Sequence, residues 1–161
     1  MTTIKTTMRL LTLATALLAV PAIGLAQPAP KPAKRGMEPV ETGLPVVKTT
    51  PFEWATRGGD TLYTSQIPIK PDGSIETGDI SAQAELTFQN LKKTLEAAGG
   101  GMGDVTLLLI FITDFKELGK INQVYERAFS KPYPNRATMV VTALAVPNMR
   151  FEVIAYAHIP R

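Results

Sequence analysis

Two charged residues in the last third of the chain have types and surroundings that suit chemistry on a small carboxylate. Arg136 lies in the segment YPNRA at 133–137, where a proline loop enters a predicted strand. An arginine held in this way can bind a carboxylate through two parallel hydrogen bonds. Glu152 is a lone acid in an apolar predicted strand, where burial requires a counter-charge or a partner. The residues alone leave open a salt bridge between the two, within one chain or across a subunit boundary.

The composition excludes several other chemistries. A chain of 161 residues that is 45% hydrophobic and 19% charged suits one packed domain. The absence of cysteine excludes disulfides, thiolate metal sites and a cysteine nucleophile, and the single histidine, His158, argues against His-based zinc sites and a Ser-His-Asp triad. The net charge of +3 includes Lys5 and Arg9; without them 15 bases face 14 acids, a net of +1. We therefore expect no nucleic-acid partner.

The first 45 residues have the pattern of an export signal followed by a tether. Lys5 and Arg9 precede an uncharged apolar stretch, and Gly24-Leu25-Ala26 places small residues before a cleavage site at Gln27. Residues 1–26 therefore predict a Sec signal peptide, with an uncleaved anchor as the alternative. Residues 27–45 are proline-rich and predict a flexible leader. The mature protein is expected in a bacterial periplasm, free of the membrane.

The remaining residues, 46–161, are expected to form the folded domain, and five of its segments have the composition of strands. They cover residues 46–50, 60–69, 105–113, 137–146 and 151–159. The third is apolar on both of its alternating faces, which predicts a central strand buried on both sides. The last two are expected to be joined by a turn at Pro147-Asn148.

Two helices are predicted between these strands. The first begins at the N-cap Asp79, carries apolar residues at spacings of three and four, and ends near Ala98 before three glycines. The second begins at Asp114, with Glu117 as its capping-box partner, and ends before Pro132. The order β-β-α-β-α-β-β predicts an α+β fold, one mixed sheet with two helices on one face.

The last predicted strand indicates an oligomer. Its alternate residues from Phe151 to Ala157 are apolar, but the opposite set, which includes Ile154 and Tyr156, is also too apolar to face water. A second apolar face on a small sheet suggests burial against other subunits.

An ordered set of segments resembles the Rid family of reactive intermediate deaminases, also called YjgF-like or endoribonuclease L-PSP proteins. The segments are LYTSQIP at 62–68, GDISAQAELTFQNLKKTLEAAGG at 78–100, DV at 104–105, NQVYERAF at 122–129, YPNRATMVV at 133–141 and FEVIAYA at 151–157. The resemblance spans about 100 residues and implies a chorismate-mutase-like fold and a homotrimer with clefts between subunits.

The resemblance also implies roles for individual residues. Arg136 would bind the substrate carboxylate, and Glu152 would place or activate water. Thr64 aligns with the family serine and Asn122 with the family asparagine, so both are predicted to contact the substrate. Two positions depart from the family: Ser65 replaces a glycine, which alters the approach of the backbone to the site, and Phe52 replaces a tyrosine.

These residues support three functional hypotheses. The first is hydrolysis of small 2-imino or 2-enamino acids to 2-oxo acids and ammonia in a cleft between subunits, with no metal or organic cofactor because the imine is already electrophilic. The second is a non-catalytic module that binds a small carboxylate or metabolite in the same cleft. The third, an endoribonuclease, rests on the family's other name, and the nearly neutral charge argues against it.

Overall fold

A computed structural model describes residues 36–46 and 51–161 of the chain. The predicted signal peptide, residues 27–35 of the leader and most of the predicted strand at 46–50 lie outside these residues. The described part contains six strands and two α-helices. They are β1 (Glu38–Pro39), β2 (Ala55–Gly58), β3 (Thr61–Gln66), α1 (Ile80–Ala97), β4 (Val105–Ile112), α2 (Leu118–Ala128), β5 (Asn135–Val140) and β6 (Phe151–His158).

The six strands form one mixed sheet in the order β1-β2-β3-β6-β4-β5. The strands are antiparallel except that β4 and β5 run parallel. A parallel pair needs a crossover, and α2 supplies it. The predicted α+β architecture is confirmed.

The N-terminal part of the domain differs from the prediction. The short strand β2 was not predicted, because its sequence ATRG has neither alternation nor an apolar run. It forms a hairpin with β3 around Gly59, whose φ of +60° favours glycine. Leu44 is buried against Trp54, and the Trp54 indole donates to the Pro45 carbonyl at 2.9 Å. The part of the predicted leader that the structure describes is therefore packed on the domain.

The last two strands also differ from the prediction. Asn148 does adopt a left-handed turn conformation, with φ of 64°, as a turn at Pro147-Asn148 requires. However, β4 lies between β5 and β6, so the turn does not join a hairpin. β5 ends at Val140 rather than 146, because the residues that follow it leave the sheet.

The two helices lie close to their predicted bounds. The Asp79 side chain accepts from the Ser81 backbone N–H at 2.9 Å and caps α1, as expected. The start of α2 differs, since a 3-10 turn at Phe115–Glu117 precedes it. Asp114 caps that turn, whereas the Glu117 carboxylate lies 2.9 Å from the Arg150 guanidinium instead of completing a capping box. In the residues described, neither helix combines the length and apolarity needed to cross a membrane.

The main core lies between the sheet and the two helices. It combines inward residues of both helices with those of β3, β4 and β6, among them Phe88, Leu91, Ile110, Ile121 and Phe151. We call the opposite side of the sheet the open face. From Leu107 to Phe111 on β4 and from Glu152 to Tyr156 on β6 its residues are half-buried, so burial of β4 on both sides is incomplete within one chain.

Candidate functional site

Arg136 lies on the helix side of the sheet, near the start of the edge strand β5. Its Nη1 donates to the Asn122 Oδ1 of α2 at 3.0 Å, and its guanidinium carbon lies 4.6 Å from the centre of the Tyr125 ring. An amide acceptor and an aromatic face restrict a planar cation in two directions without neutralising its charge. Arg136 is half-buried, so the charge is held at the surface, where an anion can reach it.

A cavity of about 320 Å³ opens in front of this guanidinium. Its lining consists of Asn122, Tyr125, Glu126, Tyr133, Pro134 and Arg136. The Tyr133 ring leans against Tyr125, with ring centres 5.7 Å apart. The cavity therefore combines one restrained cation and aromatic walls with the acid Glu126, and its cation suits a small carboxylate with a short side chain.

The helix α2 positions two of the groups that hold Arg136. Asn122 and Tyr125 are three residues apart, so they share one face of the helix. Burial raises the pKa of the Tyr125 phenol, and the nearby positive charge of Arg136 partly opposes this rise. Tyr125 therefore contributes a neutral ring. Sequence reasoning singled out Asn122 and missed Tyr125 and Tyr133, although the N-x-x-Y spacing contained the signal for Tyr125.

Glu152 lies on the open face, near the start of β6. Its Oε1 accepts from the Ser65 Oγ of β3 at 3.0 Å. Register places Glu152 beside Phe111 on β4, so the carboxylate has an apolar neighbour and one hydroxyl donor. Glu152 is half-buried in the single chain. It is thus a surface acid that a serine holds in place.

Thr64 and Phe52 are less directly placed for substrate contact. Thr64 is 5% exposed, and its hydroxyl donates to the Trp54 carbonyl at 2.7 Å. Strand alternation turns Thr64 into the core and Ser65 to the open face. In the single chain this hydroxyl is used within the core, and contact between Thr64 and substrate stays a prediction. Phe52 is exposed and packs edge-on against Trp54, with ring centres 4.9 Å apart.

Within one chain, Arg136 and Glu152 are on opposite faces of the sheet. Arg136 pairs with Leu108 of β4, a fully buried core residue, whereas Glu152 pairs with Phe111. Leu108 and Phe111 are three positions apart, and an odd separation along a strand means opposite faces. The salt bridge that the sequence left open is not present within the described chain.

A second, larger cavity of about 450 Å³ is lined by residues of both helices. Its lining includes Phe88, Met102 and Val124, and Glu85 and Arg127 form an ion pair at its rim. It contains neither Arg136 nor Glu152. Across residues 36–46 and 51–161, no three His, Asp or Glu side chains are grouped as a metal site would require.

The order of these segments and the fold both match one known family. Residues 45–159 match the sequence model of the family described as Endoribonuclease L-PSP, which covers well over half of the chain. The chain belongs to this family, the Rid family. The expectation from the sequence segments is thereby confirmed, and the Rid-family match contains all six predicted site residues.

Curated relatives agree with this assignment. A RutC family protein of Sulfurisphaera tokodaii is 36% identical over 110 residues, which cover 67% of this chain and 88% of the relative. A 2-iminobutanoate/2-iminopropanoate deaminase of Dermatophagoides farinae is 34% identical over 116 residues, covering 71% of this chain and 90% of that protein.

Solved structures show the same Rid fold. The crystal structure of RidA from the Antarctic bacterium Psychrobacter sp. PAMC 21119 has a TM-score of 0.70 and 30% identity, over 76% of this chain and 99% of that one. E. coli TdcF, crystallised with bound serine, has a TM-score of 0.68 and 30% identity, over 75% of this chain and 98% of its own.

Proposed function

We propose that this Rid-family protein hydrolyses small 2-imino acids, and the 2-enamino acids that tautomerise to them, to 2-oxo acids and ammonia. The observation that carries the proposal is the half-buried Arg136 guanidinium, which Asn122 and Tyr125 hold at the mouth of a small cavity. The deaminase name of the D. farinae relative supports the reaction class. The serine bound to TdcF supports a ligand that carries a carboxylate.

Arg136 supplies the binding energy and the orientation. A carboxylate that accepts two parallel hydrogen bonds from the guanidinium is fixed in plane and direction. The imine carbon, one bond from the carboxylate carbon, is then held at a defined distance from the arginine. Fixing the reacting carbon in this way lowers the entropic part of the barrier to water attack.

Glu152 supplies the base. Its carboxylate accepts a proton from water as the water oxygen forms a bond to the imine carbon, and this proton passes on to the imine nitrogen, which gives a carbinolamine. Glu152 then accepts the proton of the new hydroxyl and transfers it to the amine nitrogen. The C–N bond breaks with its electron pair on ammonia, and the hydroxyl oxygen becomes the 2-oxo group. One water is consumed, and Glu152 is regenerated.

The proposal requires two copies of the chain at each site, because Arg136 and Glu152 lie on opposite faces of the sheet. The half-buried apolar residues of the open face, such as Leu109 and Ile154, suit burial against a second copy. A homotrimer closes such contacts in a ring and yields a cleft at each subunit boundary.

The test is imine hydrolysis by the purified protein. An amino-acid oxidase generates imino acids in the assay, and semicarbazide traps those that are not hydrolysed. We expect the protein to reduce trapping and Arg136→Ala to lower kcat/KM by about a hundredfold, since a charge-assisted contact is lost. Arg136→Lys should recover part of this loss. Arg127→Ala, which removes an exposed arginine of α2 outside the cavity, is the matched control.

Other results would redirect the proposal. Tight binding of small carboxylates without turnover, across a panel of imino acids, would favour the binding module. Nuclease activity that follows the oligomer through purification and disappears in Arg136→Ala would favour the endoribonuclease. Full activity in Arg136→Ala would contradict the role given to this arginine.

Export is a separate part of the proposal. It rests on the sequence of residues 1–26, with Lys5 and Arg9 before an apolar stretch. Fractionation of cells that express the full chain, with N-terminal sequencing of the product, tests it. A protein that starts at Gln27 in the periplasmic fraction is the expected result, and an intact N-terminus in the cytoplasm would contradict it.

A further inference from the structure

The side chain of Ser65 lies on the same face of the sheet as Glu152 and contacts it directly. Ser65 pairs with Ile154 across β3 and β6, which makes Glu152 its diagonal neighbour on the open face. The Ser65 Oγ donates to the Glu152 Oε1 at 3.0 Å. The flanking residues Thr64 and Gln66 are buried on the helix side, so Ser65 is the position in this part of β3 that can reach the acid.

This hydrogen bond has a defined effect on the acid. A half-buried glutamate has three side-chain torsions and would otherwise populate several rotamers. A hydroxyl donor on Oε1 restricts it to one rotamer and leaves Oε2 available to accept from a water. In the described ranges, no other hydrogen bond reaches this carboxylate. The hydroxyl of Ser65 is therefore the group that determines where the acid points.

We propose that Ser65 is a positioning residue for Glu152, holding one carboxylate oxygen so that the other faces the attacking water. The inference rests on the proposed function for its catalytic consequence. Ser65 acts through Glu152, so its contribution disappears when the acid is absent. In this chain the restraint comes from the Ser65 hydroxyl, which the glycine of the family lacks, so a variant with no side-chain oxygen at position 65 loses it.

The test combines Ser65 variants with Glu152→Gln in the full chain. Loss of a hydrogen bond to a charged group should lower kcat about tenfold in Ser65→Ala while KM stays close to the wild-type value. Ser65→Thr keeps the hydroxyl and should recover most of kcat. In the double variant Ser65→Ala/Glu152→Gln, kcat should equal that of Glu152→Gln alone, because the two residues act as one unit.

Ser74→Ala is the matched control. The Ser74 hydroxyl donates to the Asp72 Oδ1 at 2.7 Å in an exposed turn, so the substitution also removes a bond between a serine and a carboxylate, away from the open face. It should leave kcat and KM unchanged. A wild-type kcat in Ser65→Ala would overturn the inference. So would a double variant whose loss of kcat is the product of the losses in Ser65→Ala and Glu152→Gln.

A second measurement separates this inference from the proposed function. In protein labelled with ¹³C at glutamate carboxyls, the Glu152 resonance is identified by its loss in Glu152→Gln. We expect Ser65→Ala to shift this resonance and Ser74→Ala to leave it in place. If the wild-type protein does not hydrolyse imines, the proposed function and the catalytic role of Ser65 are overturned. An unshifted Glu152 resonance in Ser65→Ala would overturn the positioning itself, whatever the activity.

Discussion

Arg136 and Glu152 lie on opposite faces of one sheet, three strand positions apart in register. Arg136 is opposite the core residue Leu108 on β4, and Glu152 is opposite Phe111. Neither side chain can turn to the other face without breaking the strand alternation. The proposed hydrolysis therefore divides each chain into two half-sites, one with Arg136 and one with Glu152. A site that uses both residues has to be completed by a second copy.

Mixed oligomers test this relationship directly. Arg136→Ala is expected to keep about a hundredth of the wild-type kcat/KM and Glu152→Gln a small residual kcat, and co-expression should restore activity. Purification through both tags leaves only mixed rings, and in a mixed trimer one interface of three pairs an intact Arg136 with an intact Glu152, so about a third of wild-type kcat is expected per site. The measurement is imine hydrolysis by oligomers purified through a different tag on each variant. Mixed oligomers no more active than either parent would contradict the two-copy site.

The aromatic support of Arg136 gives a second prediction. Tyr125→Leu removes the ring over the guanidinium but keeps an apolar side chain in the core. We expect KM to rise by about twofold to thirtyfold, because a cation–π contact contributes about 0.5–2 kcal/mol to holding the cation. Phe115→Leu, which changes an exposed aromatic outside the cavity, should leave KM unchanged. An unchanged KM in Tyr125→Leu would show that Asn122 orients the arginine without the ring.

A close contact after α1 gives a third prediction, for stability. A Cβ at Gly100 would lie 2.6 Å from the Ile159 Cδ1 and 2.8 Å from the Asp104 Oδ2. Ile159 is buried, so it cannot move aside freely. Gly100→Ala should therefore lower the free energy of unfolding by about 1–3 kcal/mol. Gly101→Ala is the neighbouring control, since its Cβ would meet no atom within 4 Å. Urea unfolding curves that coincide for the two variants would contradict the contact.

The cap of α1 gives a prediction about pH. The hydrogen bond from Lys120, followed by the one from the Ser81 backbone, lowers the Asp79 pKa from 3.8 to about 2. A carboxyl with a lowered pKa stabilises the fold above its unfolded pKa and loses that contribution as pH falls towards the folded value. Lys120→Met should thus lower Tm at pH 6, by a few degrees at most, and by less as the pH approaches about 2.5.

The control for this pH experiment is Lys92→Met. It removes a longer ion pair within α1, in which the Lys92 Nζ lies 3.9 Å from the Glu96 carboxylate. Its effect on Tm should be smaller at pH 6. The measurement is thermal unfolding across the acidic range. If the Tm difference between wild type and Lys120→Met stays constant as pH falls, the stabilisation by Lys120 does not depend on the Asp79 charge.

Local patterns in the sequence determined much of this fold. The N-cap Asp79 and apolar residues spaced three and four positions apart located α1. Alternation in the last strand identified the buried face of β6, from Phe151 to Ala157. These features depend on neighbours within a few residues, which is why the chain itself reveals them. Residue type and surroundings also selected Arg136 and Glu152. The family resemblance added Asn122.

The tertiary structure decided which of these residues meet. The order of β4, β5 and β6 depends on a crossover through α2, and it placed Arg136 on the helix side and Glu152 on the open face. The pairing of β3 with β6 brought Ser65, rather than Thr64, to the acid. Strand order and register arise from contacts between distant parts of the chain, so no local pattern encodes them.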